Sequence, residues 1–345
     1  LNKSKLMQIV PISVESDFLN LYRNLFKPPE LTNGKYSFCD AAKGISFNDA
    51  NVVMFGIPLD ITTSFGKGTR KGPEAIRKTS ARQIETFVFE EKVEFNDKVK
   101  IFDLGDLILP NSHDSRKIFA YLDKVVPEIN KILSMLNKKP LVLGGEHTLS
   151  YYCFKGLSYQ KPLLIHFDAH RDLKDVYRGT KMCHATPFFR LIEENHIKGH
   201  DIIQIGIRQA DKEEEQAALD QRVVTFDAWK VKAKFEEVLG YIKKCTKNRK
   251  IYISFDIDVL DVQYVPCTGT PEPFGLNPFE IIRILNSIDD SAALIGMDLV
   301  ETSLKNDDYR EGTIASQILL RILTKKYFRN LPYISSEKTL KLRTL

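Results

Sequence analysis

Leu163-Leu164-Ile165-His166-Phe167-Asp168-Ala169-His170-Arg171-Asp172 is the stretch on which the reading of this chain turns. Its first half is short and almost wholly apolar, the pattern of a strand covered on both faces. Its second half alternates acid, imidazole and acid. In an extended backbone residues i and i+2 point to the same side, so Asp168 and His170 face one site together. Asp172 continues that series if the chain stays extended, or swings back if it turns. In an open parallel sheet the ligand crevice lies beyond the carboxyl ends of the strands, which is where these charges fall.

Two further strand ends behave alike. The apolar run at 140–143 leads into Gly144-Gly145-Glu146-His147, and the run at 250–255 leads into Asp256-Ile257-Asp258. Further outward, runs at 52–56, 99–103, 162–167, 201–205, 223–226 and 293–299 also read as strands. Between them, 115–136, 211–220, 230–247 and 311–328 read as amphipathic helices. Asn277, Pro278 and Glu280 spell a helix start: cap, first-turn proline and capping-box glutamate. This alternation predicts one parallel sheet of about eight strands with helices on both faces. Residues 1–48 lack the rhythm and carry turn signals at Pro28-Pro29 and Asn33-Gly34. They are expected to form an N-terminal extension with one helix near 15–26, residues 49–330 a single α/β domain, and residues 331–345 a tail.

Three strand ends thus aim four carboxylates (Asp168, Asp172, Asp256, Asp258) and two imidazoles (His147, His170) at one crevice. A single His-x-Asp at a strand end is usually a cap. Three separate ends carrying buried acids have no such simple account, because the uncompensated cluster would repel itself. A pair of divalent cations is the simplest compensation. Oxygen-rich ligation with two imidazoles and no thiolate favours a hard ion such as Mn²⁺. Two such ions would hold a bridging water and lower its pKa toward neutrality. His166, inside its strand, reads as a packed, hydrogen-bonded histidine.

Composition narrows the remaining classes. The 345 residues carry 50 Lys+Arg against 45 Asp+Glu, a formal charge of +5 spread along the chain, which argues against a nucleic-acid partner. No apolar run approaches the ~18 residues needed to span a bilayer. Five cysteines without a Cys-x-x-Cys pair argue against a disulfide framework and for a reducing, cytoplasmic location. Cys183 and Cys267 read as small buried residues.

The strings Gly144–His147, Asp168–Asp172 and Ser254-Phe255-Asp256-Ile257-Asp258-Val259-Leu260-Asp261 resemble the metal motifs of the ureohydrolases, the arginase/agmatinase family. Gly66–Arg77, Asp103–Asp106, Ile205–Arg208 and Gly269–Pro273 extend the resemblance over about residues 50–325. It implies an arginase-like three-layer α/β/α sandwich and a hydrolase that cleaves a guanidino C–N bond by a metal-bridged hydroxide. It also implies two Mn²⁺ per subunit. One ion would be bound by His147, Asp168, Asp172 and Asp256, the other by Asp168, His170, Asp256 and Asp258. Asp172 would in addition pass a proton to the leaving amine, Glu301 would orient the guanidinium, and His184 at the site mouth would shuttle protons or contact substrate. A homo-oligomer, trimer or hexamer, follows by the same analogy.

Within that family the loop Leu173–Met182 lacks the asparagine and serine that bind an arginine's α-substituents, and so looks closest to the agmatinase branch. Agmatine hydrolysis to putrescine and urea, a step of polyamine biosynthesis, is therefore the expected activity. Lys174, Arg178 and Lys181 in the same loop read as solvated charges; pointing inward, they would instead favour an acidic tail. A guanidinobutyrase, formimidoylglutamase or arginase stays as the alternative, with a non-catalytic ligand-binding relative behind it. Phe274-Gly275, Thr302-Ser303-Leu304 and Cys267 depart from the family pattern, all outside the ligand set.

Overall fold

The computed structural model describes residues 14–28, 38–40, 44–305 and 308–329. The expected tail at 331–345 lies outside the described residues, as do residues 1–13. Nine strands form the main sheet: β1 (Phe26–Lys27), β2 (Val52–Ile57), β3 (Ile101–Leu107), β4 (Lys139–Gly144), β5 (Leu163–Phe167), β6 (Ile202–Ile205), β7 (Val224–Phe226), β8 (Lys250–Asp256) and β9 (Ala293–Val300). Their spatial order is β1-β3-β2-β4-β9-β8-β5-β6-β7. All pairings are parallel except that of the two-residue β1 with the end of β3. The eight runs read from the sequence are thus all strands, and β1 is the addition. A strand of two residues is too short to leave any periodicity.

Every residue of β2, β4, β5 and β9 is buried, which explains why these runs do not alternate. The alternation exists but is apolar on both sides. Val52 and Met54 of β2 enter one core, Val53, Phe55 and Ile57 the other. The first core is covered by helices Gly72–Gln83, Phe235–Thr246, Pro278–Ser287 and Arg310–Thr324. Helices Ser115–Met135, Leu149–Lys155, Pro187–Glu193 and Lys212–Asp220 cover the second. The result is a three-layer α/β/α sandwich. Phe18, Tyr22 and Phe26, from the stretch before residue 48, are buried in the second core as well.

The capping box at Asn277 is present, with Asn277 and Glu280 each accepting the other's backbone N–H at 2.9 and 2.8 Å. The helix expected over 230–247 is broken at Lys234 into Ala228–Ala233 and Phe235–Thr246, and the one over 311–328 breaks at Lys325. Among the described residues no helix is long and apolar enough to cross a membrane.

Candidate metal centre and active site

Four adjacent central strands, β4, β9, β8 and β5, open onto one crevice. Beyond β4 the chain must turn hard against Leu59: a Cβ on Gly145 would stand 1.9 Å from the Leu59 carbonyl oxygen, so glycine is required there. That turn puts His147 among the carboxylates. Its Nδ1 lies 3.0 Å from Asp168 Oδ2, 2.9 Å from Asp172 Oδ2 and 3.1 Å from Asp256 Oδ2, yet hydrogen-bonds none of them.

The other face of the ring explains this. His147 Nε2 lies 3.0 Å from Ser254 Oγ, and Ser254 gives its single proton to Asp298 Oδ1 at 2.7 Å. The serine oxygen therefore accepts, and the imidazole proton is held at Nε2. Asp298 is kept in place by the hydroxyls of Ser150 and Tyr252, at 2.8 and 2.5 Å. Nδ1 is left facing three carboxylate oxygens, a position that calls for positive charge: a proton on the ring, or a metal ion in its place.

A second set adjoins the first through Asp168. Its Oδ1 lies 3.3 Å from His170 Nδ1, and Asp258 Oδ2 lies 3.1 Å from the same nitrogen. Asp256 reaches the first set through Oδ2, while its Oδ1 accepts the Asp258 backbone N–H at 2.9 Å. Asp172 does swing back: its φ of +53° turns the chain and returns the carboxylate to His147. His166 is committed elsewhere. Gln204 Oε1 accepts from Arg171 Nη1, so Gln204 Nε2 donates to His166 Nδ1, and His166 Nε2–H donates to Asp168 Oδ2 at 2.8 Å. Burial pushes His166 down and keeps it neutral. It orients Asp168 from behind.

The electrostatics of the cluster point the same way. Burial pushes Asp256 well above the usual carboxylate range and Asp172 up to about 7, with neighbouring aspartates adding to both. Burial would lower His147 and His170, but their carboxylate contacts outweigh it and hold both well above an ordinary imidazole. Asp168 lies well below its ordinary value in spite of burial, because three imidazoles surround it. The groups His147–His166–Asp168 and Asp168–His170–Asp258 each bring ligand atoms together closely enough for a metal ion.

Glu301 follows β9 in a left-handed conformation (φ +59°) and accepts the His147 backbone N–H at Oε1, 2.9 Å away. Its Oε2 has no hydrogen bond among the described residues, and a Cβ on Gly269 would stand 2.7 Å from it. Burial, followed by the charge of Glu146, pushes Glu301 well above its ordinary value. His184 lines the same pocket of about 390 Å³, together with His147, His170, Asp172, Asp256 and Glu301. Burial, reinforced by His170 and His147, pushes His184 down to about 4, so it is neutral at pH 7.

Against this geometry, the family model described as the arginase family matches residues 50–324. The chain belongs to the arginase family. With it the chain joins the hydrolases that act on guanidino C–N bonds. It is 32% identical over 282 residues to an agmatinase of Halalkalibacterium halodurans, covering 80% of this chain and 92% of the relative. An agmatinase of Bacillus anthracis is 33% identical over 281 residues, covering 80% and 91%. Among solved structures, the agmatine ureohydrolase of Thermoplasma volcanium superposes with a TM-score of 0.74 at 26% identity, over 88% of this chain and 96% of that one. The formimidoylglutamase of Bacillus subtilis does so at 0.70 and 25%, over 88% and 98%.

Glu146, Arg208 and Glu272 lie in the strings that carry the resemblance, but their roles were not legible in the sequence. Glu146, inside the Gly-Gly-Glu-His motif, accepts the backbone N–H groups of Ile61 and Thr62 at 2.5 and 2.6 Å and ties the loop after β2 to the metal-facing turn. Glu272 stands 3.8 Å from His170 Nε2. Arg208 holds this side together by donating to the carbonyls of Asp258, Leu260 and Glu272. Among the loop cations, Lys174 lines the pocket and pairs with Asp211 and Glu214, whereas Arg178 and Lys181 are exposed. Lys174 is therefore no solvated charge, and its partners come from the cap and first turn of a helix some forty residues on. Cys183 is buried and Cys267 half-buried.

Proposed function

We propose that this arginase-family chain is a binuclear-manganese amidinohydrolase that converts agmatine and water to putrescine and urea. The observation that carries the proposal is His147 Nδ1, enclosed by three carboxylate oxygens at 2.9–3.1 Å while Ser254 and Asp298 hold the ring by its Nε2–H, so that a divalent ion can take the place of a proton at Nδ1. His147, Asp168, Asp172 and Asp256 would hold one ion, and Asp168, His170, Asp256 and Asp258 the other. When bound, the two ions supply charge compensation and a water acidic enough to act as nucleophile near neutral pH.

The chain's own groups do the rest. Glu301, anchored at Oε1, offers Oε2 to a guanidinium N–H and fixes the carbon for attack. Asp172, whose carboxylate is returned to His147 in the crevice, is placed to take a proton and hand it to the leaving amine. His184 contacts the substrate at the mouth. Farther out, the rim sets Asp211, Glu214 and Glu272 against Lys174, whose charge two of them already compensate. That balance supports a ligand with a cationic tail. Putrescine as product supports a role in polyamine biosynthesis, in the cytoplasm, with the trimeric or hexameric assembly the family analogy implies. Lys174 is also what favours the second reading, a guanidino or formimino substrate with an acidic tail.

Urea release by the Mn²⁺-loaded protein from agmatine, arginine and guanidinobutyrate, measured side by side with Asp258→Ala as control, decides between these. Release from agmatine that disappears in the variant supports the proposal. Release from guanidinobutyrate alone moves the assignment to the second reading, and silence on all substrates without bound metal overturns it.

A further inference from the structure

We propose that Thr62 and Glu146 lock His184 as the Nδ1–H tautomer, so that its Nε2 faces the pocket purely as a hydrogen-bond acceptor for the substrate cation. The inference rests on the hydrolase reading above and adds two positioning residues to it, neither of which touches substrate.

The hydrogen count at Thr62 carries the argument. A hydroxyl has one proton to give and two lone pairs to receive with. Thr62 Oγ1 lies 2.5 Å from Glu146 Oε1, a separation that two oxygens reach only with a proton between them. The same carboxylate already accepts two backbone N–H groups and the Thr148 hydroxyl, so it accepts here too and the proton is the hydroxyl's. Glu146 is filled entirely by donors: Ile61 and Thr62 N–H on Oε2, Thr62 and Thr148 hydroxyls on Oε1. Thr62 Oγ1 is left with its lone pairs. One accepts the His184 backbone N–H at 3.1 Å, and the other faces His184 Nδ1 at 3.3 Å; Thr148 Oγ1 also stands 3.3 Å away but spends its single proton on Glu146 at 2.7 Å. Both His184 nitrogens must then donate, which puts the ring proton at Nδ1. Nε2 has no hydrogen-bond partner among the described residues, and the ring lines the pocket.

The consequence is a sorting of polar groups at the mouth. A neutral imidazole presenting Nε2 as acceptor welcomes an N–H of a guanidinium or ammonium. The opposite tautomer would point a donor at it and be repelled. The edge of the Tyr177 ring, its centroid 5.6 Å from that of His184 at an interplanar angle of 87°, limits rotation of the imidazole out of this position.

The carboxylate can be replaced so that the lock reverses. In Glu146→Gln the amide oxygen stays with the Ile61 and Thr62 N–H groups, which have no other acceptor, so the amide nitrogen takes the Oε1 position and donates to Thr62. Thr148, which loses the same acceptor, turns its proton to Thr62 Oγ1 3.3 Å away, so the Thr62 proton goes to His184 Nδ1 and drives the ring proton to Nε2. Thr62→Ser keeps the lock, and Thr62→Val removes it without favouring either tautomer.

Neutron diffraction from deuterated crystals of the Mn²⁺-loaded enzyme reads the proton directly. The expected result is deuterium on His184 Nδ1 alone in the native protein and in Thr62→Ser, and on Nε2 in Glu146→Gln. In kinetics, Thr62→Val raises KM for the cationic substrate about five- to tenfold with kcat within about twofold, and Thr62→Ser restores it. Two ions per subunit in every variant, by metal analysis, show that the effect does not run through the metal centre. Deuterium on Nε2 in an active native enzyme, or an unmoved proton in Glu146→Gln, overturns the lock and leaves the hydrolase reading intact. Deuterium on Nδ1 in a protein that releases urea from no guanidino compound does the reverse.

Discussion

Two clusters of acids are carried by the strands of this molecule, and they are built on opposite principles. Within β3, Asp103 and Asp106 face Arg77, which donates Nε and Nη2 to Asp103 at 2.8 and 2.9 Å and Nη1 to Asp106 at 2.5 Å. Burial alone would lower the guanidinium, but the two carboxylates outweigh it and raise it further. The cluster carries its own cation. At the ends of β5 and β8, four aspartates surround two imidazoles, one of which donates its Nε2–H to a serine and turns Nδ1 to three of the carboxylates. A carboxylate group closed by arginine is a structural clamp. One left open asks for cations from outside, and that difference separates a site from a support.

The largest effect is expected from breaking the open cluster. Asp168→Asn removes the carboxylate shared by both sets, and urea production should fall about a thousandfold or more while bound Mn²⁺, measured by metal analysis, drops below two per subunit. Chelation of the native protein should lower its melting temperature, because the ions bind only the folded state. Next comes the closed cluster. Arg77→Ala leaves the buried side chain of Asp103 uncompensated, while Asp106 can still reach water, and should cost about 3 kcal/mol in denaturant unfolding, with metal stoichiometry unchanged in the molecules that stay folded. Loss of metal without loss of stability in Arg77→Ala would erase the contrast.

The smallest effect sharpens the comparison from a third carboxylate. Glu311 accepts the N–H groups of Cys267 and Ser303, yet burial pushes it up to about 7. A carboxyl that holds its proton more tightly when folded than when unfolded is favourable at low pH. That contribution disappears as pH rises from about 4.5, the ordinary value, to about 7. The loss is at most about 3 kcal/mol. Glu311→Gln should flatten the decline of stability over that window, read from chemical denaturation at several pH values. An unchanged slope would place the titrating group elsewhere.

Legibility from sequence followed range along the chain. The central strands were visible because burial on both faces writes a short apolar run whatever lies beside it. The acids and imidazoles at their ends stood out because nothing apolar explains them. β1 was not visible, since two residues have no period. Neither was the break at Lys234 in what reads as one helix. Lys174 looked like loop charge because its partners, Asp211 and Glu214, are remote in the chain. Thr62 carried no signal at all: its role exists only because Gly145 lets the turn after β4 close on the loop after β2.

The sequence by itself determined the class of the fold, the arginase-family resemblance and the chemical character of the crevice, because strand periodicity and the i, i+2 rule are properties of local backbone geometry. Tertiary structure alone decided the rest. β8 and β9 insert between β5 and β4, which are consecutive in the chain, and so bring Asp256 and Glu301 to His147. The positive φ of Asp172 returns its carboxylate to the same ring. The protons of His147 and His184 are placed by Ser254 and by Thr62, each 107 or 122 residues away. A hydrogen bond needs its donor and acceptor within about 3 Å, and no pattern along a chain encodes which distant residue will stand there.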